Sequence, residues 1–155
     1  MAKPHIFTTQ LSWRLKDGEN TQNPRNYTRD HTVNIEDKKL LNLSAAKSFR
    51  GNTNLLNPED LLLSALTSCH MMSYLYVCAQ NGIEILSYSD NSEGFLEVIG
   101  EGGHFERVEL NPVVTIKHQK DLTLAQELHT KANELCFIAN SCNFPIHHKA
   151  NVLVG

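Results

Sequence analysis

Cys69, Cys78, Cys136 and Cys142 are the side chains here whose chemistry reaches furthest beyond packing. A cysteine is nucleophilic as its thiolate, a form that a nearby cation favours, and an oxidised thiol can condense with a second thiol into a disulfide. Cys69 lies mid-helix, where the plain reading is a buried, inert thiol. A reactive Cys69 needs a guanidinium from another element, and Arg25 and Arg29 are the candidates. Glu59 precedes Cys69 by ten residues, which on a helix leaves the two about 80° apart. One environment can therefore hold both, with Glu59 either orienting an arginine or serving only as first-turn charge. Cys136 and Cys142 are six residues apart, and either can meet Cys69. Cys78, nine residues past Cys69, projects about half a turn away and reads as core.

Other chemistries fit poorly. Cys69-His70 and His147-His148 offer metal-binding atoms, but Cys-x-x-Cys and His-x-x-x-His spacings are missing, so no metal and no cofactor is expected. His147 and His148 at a strand start project to opposite faces. There is no glycine-rich phosphate loop, and Ser68-Cys69-His70 lacks triad spacing. A net charge of -3 argues against nucleic acid as a partner. With 41% hydrophobic and 20% charged residues over 155 positions, one folded domain spanning 1–155 is expected. The first residues lack the apolar run of a secretory signal, which points to the cytoplasm. Leu61 to Ala79 carries no Asp, Glu, Lys or Arg and is long enough to span a bilayer. Its serines, Thr67 and His70, and the lack of a flanking basic cluster, favour a core helix and no membrane.

Alternation of apolar and polar residues predicts strands over Phe7–Leu15 and Tyr27–Ile35, with a weaker one over Lys39–Ala45. Asn57 as cap, Pro58 at the first position and acidic Glu59 and Asp60 start a helix that Gly82 stops. It is about 36 Å long, in a domain whose expected radius of gyration is about 15 Å. Leu61, Leu62, Leu63, Leu66, Met71, Met72, Leu75 and Val77 make it apolar almost all round. A single copy would struggle to cover it, so a homodimer is expected. Strands follow over Ile83–Tyr88, Phe95–Ile99 and Val108–Lys117, where Pro112 marks an edge or bulge. Thr123 and Gln126 form a capping box for a second helix whose apolar face is Leu124, Leu128, Ala132 and Leu135, and Ile146–Val154 closes the chain as a strand. The fold class is α+β, in the order βββα-βββαβ.

The run Asn57-Pro58-Glu59-Asp60-Leu61-Leu62 leading into Ser68-Cys69-His70, with a later Cys136, resembles the OsmC/Ohr family of thiol peroxidases. The similarity extends over nearly the whole chain. It implies an intertwined homodimer with central long helices wrapped by antiparallel-rich sheets, and active sites at the subunit interface. It also implies roles: Cys69 as peroxidatic thiol, Cys136 as resolving thiol, Glu59 as the carboxylate that positions an arginine, and Arg29, preferred to Arg25, as that arginine. The implied activity is thiol-dependent reduction of organic hydroperoxides through a Cys69 sulfenic acid and a Cys69–Cys136 disulfide, with an external dithiol as reductant. Leu62, Leu66, Met71 and Met72 would form apolar walls for an alkyl hydroperoxide. His70 is similar to the OsmC side of the family. The sequence departs from the commoner pattern in having Phe137 rather than proline after the second cysteine, and in adding Cys142. The alternative is a non-catalytic OsmC-like dimer that binds a small apolar ligand or a protein partner.

Overall fold

The computed structural model describes residues 3–155, which divide into a compact unit ending at Leu61 and a second running from Leu62 to Gly155. In the first, strands β1 (Gln10–Ser12), β2 (His31–Asn34) and β3 (Leu41–Leu43) form an antiparallel meander, with Leu11 opposite Val33 and Val33 opposite Leu41. All three expected strands are present but shorter than the alternation predicts. Before β2, local side chain to backbone bonds replace the ladder. The Thr28 hydroxyl accepts from the Asp30 amide at 3.2 Å, and the Trp13 indole donates to the Thr28 carbonyl at 2.9 Å. Phe7 and Leu11 are 92% and 62% exposed, so the apolar face that suggested a longer strand is left uncovered among the described residues.

Helix α1 spans Pro58–Gln80, as expected. The Asn57 side chain accepts from the Asp60 amide at 2.9 Å, and the Asp60 carboxylate accepts from the Asn57 amide at 3.1 Å. This reciprocal cap is worth about 1 kcal/mol. At the far end Gly82 takes φ 69°, the left-handed conformation that costs glycine least, while Ile83 N–H donates to Cys78 O and Gly82 N–H to Ala79 O.

The second unit adds β4 (Ile85–Asp90), β5 (Glu93–Ile99), β6 (Gly102–Leu110), β7 (Pro112–Ile116), α2 (Leu122–Leu135), β8 (Ile146–His148) and β9 (Asn151–Val154). Two sheets result, ordered β4-β7-β9 and β5-β6-β8. Each pairs two antiparallel strands and adds a third in parallel. The order is therefore βββα-ββββαββ, which corrects the sequence expectation at two places. The Val108–Lys117 strand breaks at Asn111, whose N–H donates to the Asp90 carboxylate at 2.9 Å while Pro112 has no N–H to offer, so the chain passes from one sheet to the other. The Ile146–Val154 strand breaks likewise after His148, where Lys149 N–H donates to Leu110 O at 2.8 Å and the chain switches sheets again.

Within this unit α1 buries one stripe, Leu66, His70, Tyr74, Val77 and Cys78. Tyr74, Val77 and Cys78 pack with Ile83, Val114, Ile116, Ala125, Ala132 and Val152, whereas Leu66 packs with Val108 and Leu110 in a separate cluster. By length and composition α1 could cross a membrane, but this stripe makes it a core helix of the unit. Its other side leaves Met72, Leu75 and Tyr76 exposed.

Candidate active site

Cys69 lies half-buried at the midpoint of α1, and Cys136 is the fully buried C-cap residue of α2. There the backbone has left the helix (φ -71°, ψ 109°), and the turn that follows folds back so that the Ala139 N–H donates to the Cys136 sulfur at 3.4 Å. The two thiols are neighbours. Burial first, then the neighbouring Cys69 side chain, pushes the Cys136 thiol up to about 11, while the Ala139 and Ile138 backbone pulls the other way. Cys136 is thus protonated at neutral pH. All four cysteines are free thiols.

Of the two candidates, Cys136 is the one whose thiol responds to Cys69, whereas burial is the only influence on Cys142. Cys142 packs against the Leu66 cluster beside Ile138 and Ala139, and burial raises its pKa. Cys78 is core as expected, its thiol also pushed up by burial. The raised Cys136 pKa yields a direct expectation. Because alkylation follows the thiolate fraction, the labelling rate of Cys136 by iodoacetamide should climb about tenfold per unit from about pH 7 to about pH 10. A rate for the Cys136 peptide that levels off near neutrality, read by mass spectrometry, would contradict this environment.

In the first unit, Arg29 donates from Nη1 to the Tyr27 carbonyl at 3.1 Å and from Nη2 to the Pro24 carbonyl at 2.8 Å, with its guanidinium 4.7 Å from the Tyr27 ring centroid. It borders a groove of about 480 Å³ lined by Trp13, Tyr27, His31, Ala45 and Pro58 among others. Arg25 is exposed. Glu59 has one carboxylate oxygen, Oε2, buried with no hydrogen-bond partner among the described residues. The Glu59–Arg29 ion pair that the resemblance implies is not formed among the described residues; two of the five guanidinium N–H groups go to the Tyr27 and Pro24 carbonyls.

The four apolar wall residues do not line a single surface within the chain. Leu66 is buried core and Leu62 packs beside it, whereas Met72 is 57% exposed. Met71 borders a separate cavity of about 330 Å³ with Thr67, Ser68, Tyr88 and Asp90. The helical period explains the split: residues 71 and 72 leave α1 well round from residues 62 and 66.

Sequence reasoning missed a buried histidine cluster. His70 Nε2 lies 3.1 Å from His129 Nδ1, the rings stack at 12°, and the His148 ring from β8 stands 5.6 Å from His70 and 6.1 Å from His129. The Tyr74 ring stacks on His129 at 3.8 Å. Burial, then His148, lowers His70 to about 4, and burial, then His70 and His148, lowers His129 to about 3, so both stay neutral at ordinary pH. The available signal was periodicity, since His129 falls between Ala125 and Ala132 on the apolar face of α2. His147 is exposed while His148 turns inward, the alternation expected of a strand. Among the described residues no group of three or more His, Cys, Asp or Glu side chains is arranged to hold a metal ion.

Residues 51–151 match the family model described as OsmC-like protein. The uncharacterized protein YmaD of Bacillus subtilis is 27% identical over 133 residues, 82% of this chain and 89% of that protein. Among solved structures, an OsmC-like protein of unknown function from Vibrio cholerae is 26% identical with a TM-score of 0.86, over 96% of this chain and 100% of that one. An organic hydroperoxide resistance protein from Elizabethkingia anophelis is 18% identical with a TM-score of 0.72, covering 100% of both chains, a likeness of fold.

Proposed function

The chain belongs to the OsmC-like protein family, and from that membership we propose that it is a thiol-dependent peroxidase for organic hydroperoxides. The observation that carries this reading is the adjacent pair of Cys69 and Cys136, one half-buried and the other holding its proton. The Cys69 thiolate attacks the outer peroxide oxygen, the O–O bond breaks, and the alkoxide takes a proton to leave as an alcohol. Cys69, oxidised by two electrons, is then a sulfenic acid. The Cys136 sulfur attacks it, the S–S bond forms and water departs. An external dithiol returns two electrons by exchange and restores both thiols.

In this reading Arg29 is the cation that favours the Cys69 thiolate and steadies the departing alkoxide, and Glu59 is the carboxylate that orients it. The unpartnered Glu59 Oε2 supports that assignment. Leu62, Leu66, Met71 and Met72 are proposed to favour alkyl over hydrogen peroxide. Met72, Leu75 and Tyr76 on α1 and Ile6, Phe7 and Leu11 near the N-terminus, all exposed apolar side chains that a second copy would cover, support a homodimer. The cytoplasm, with its reducing poise, supplies the dithiol.

One equivalent of cumene hydroperoxide followed by mass mapping tests the reading. The expected product is a peptide pair joined through Cys69 and Cys136. If all four cysteines remained open to alkylation, the peroxidase assignment would fall in favour of a non-catalytic dimer.

A further inference from the structure

α1 and α2 meet through a short series of polar and aromatic contacts that leads toward the thiol pair. Tyr74 Oη donates to the Ala125 carbonyl at 3.0 Å, and its ring lies on His129. One turn back along α1, His70 Nε2 shares a hydrogen bond with His129 Nδ1 at 3.1 Å. Next comes Cys69, beside Cys136. The contacts run 74, 70, 69 on α1 and 125, 129, 136 on α2, so the helices pass in opposite directions here. Cys136 is the residue at which α2 ends, and its placement depends on how the helix before it is held.

His70 and His129 are 0% and 1% exposed, and no redox step proposed above uses them. Burying two imidazoles carries a desolvation cost that an apolar pair at the same place would not. What the imidazoles add is direction. One ring nitrogen donates and the other accepts, which fixes the separation and rotation of α1 against α2 more narrowly than apolar contact does.

We propose that His70 and His129 are positioning residues, whose mutual hydrogen bond, braced by Tyr74, sets the reach of Cys136 to Cys69 and thereby the equilibrium of their disulfide. This rests on the reading of Cys69 and Cys136 as a redox pair.

The test is the thiol–disulfide equilibrium of Cys69–Cys136 against a dithiothreitol redox buffer at neutral pH, with Cys78 and Cys142 replaced by alanine and serine. No peroxide is involved. His129→Phe keeps a ring against Tyr74 but removes the hydrogen bond, and should lower the equilibrium constant about fivefold to tenfold, the worth of one buried hydrogen bond. His129→Asn puts an amide near the position of Nδ1 and should recover most of the loss. Both are read where circular dichroism shows the protein fully folded, so that a change in global stability alone does not move the result. Should His129→Phe fail to fold, Tyr74→Phe, which removes only the bond to Ala125, should lower the constant about threefold. An equilibrium constant within twofold of the parent in a folded His129→Phe or Tyr74→Phe protein overturns the proposal. A disulfide that responds to His129 in a protein indifferent to hydroperoxides would instead overturn the peroxidase reading and leave this one standing.

Discussion

Cys69→Ser is expected to abolish hydroperoxide consumption, while Cys136→Ser retains one turnover per active site and then stops. The two effects differ because the sulfurs act in sequence. Without Cys69 no thiolate meets the peroxide, and an alcohol in its place loses nearly all nucleophilicity near neutral pH. Without Cys136 the first step proceeds, one equivalent of alcohol appears, and the sulfenic acid waits for an external thiol. Burst kinetics with cumene hydroperoxide, together with dimedone labelling of Cys69, distinguish the two variants. Cys142→Ser should turn over at close to the parent rate, since Cys142 packs against the Leu66 cluster while Cys136 borders Cys69. A steady rate in Cys69→Ser would remove Cys69 from the mechanism.

Acid should destabilise the fold through the histidine cluster well before the carboxylates titrate. In the unfolded chain His70 and His129 take up protons near pH 6.5. In the fold, burial comes first among the causes that hold them neutral down to about 4 and about 3, with His148 adding to it for both and His70 for His129. Tyr74, packed on the same cluster, stays protonated throughout because burial raises its pKa. Between these limits the unfolded chain binds more protons than the folded one, so stability is complete above about pH 6.5 and declines as pH falls. At about 1.4 kcal/mol per pH unit for each histidine, the loss by pH 5 is roughly 4 kcal/mol. Urea unfolding at pH 7.5 and pH 5.0 measures it. His129→Phe should shrink the difference by roughly half, whereas equal unfolding free energies at both pH values for the parent would mean that the imidazoles are already protonated or hydrated in the fold.

Much of the architecture was legible because its signals are local. The cap at Asn57 and Asp60 and the stop at Gly82 each depend on residues within a few positions of one another, and α1 lies where they put it. For α2 the pattern placed the helix but not its orientation or its cap: Leu124 and Leu135 are exposed, the buried stripe is Ala125, His129 and Ala132, and Asp121 rather than Thr123 stands at the start. The strands were found in place but not in extent. Periodicity reports which side chains alternate, but cannot say where a ladder loses its partner, as it does at Asn111 and after His148.

The site divides along the same line. By itself the sequence determined the long cysteine helix, the position of Cys69 on it and the family whose residues surround it, because those are properties of contiguous sequence. Only the tertiary structure decided that Cys136 borders Cys69, that Arg29 donates to the Tyr27 and Pro24 carbonyls, and that His70, His129 and His148 form one buried cluster. Such pairings join residues tens of positions apart. Their distances are set by the path of the intervening strands and turns, which no local pattern encodes.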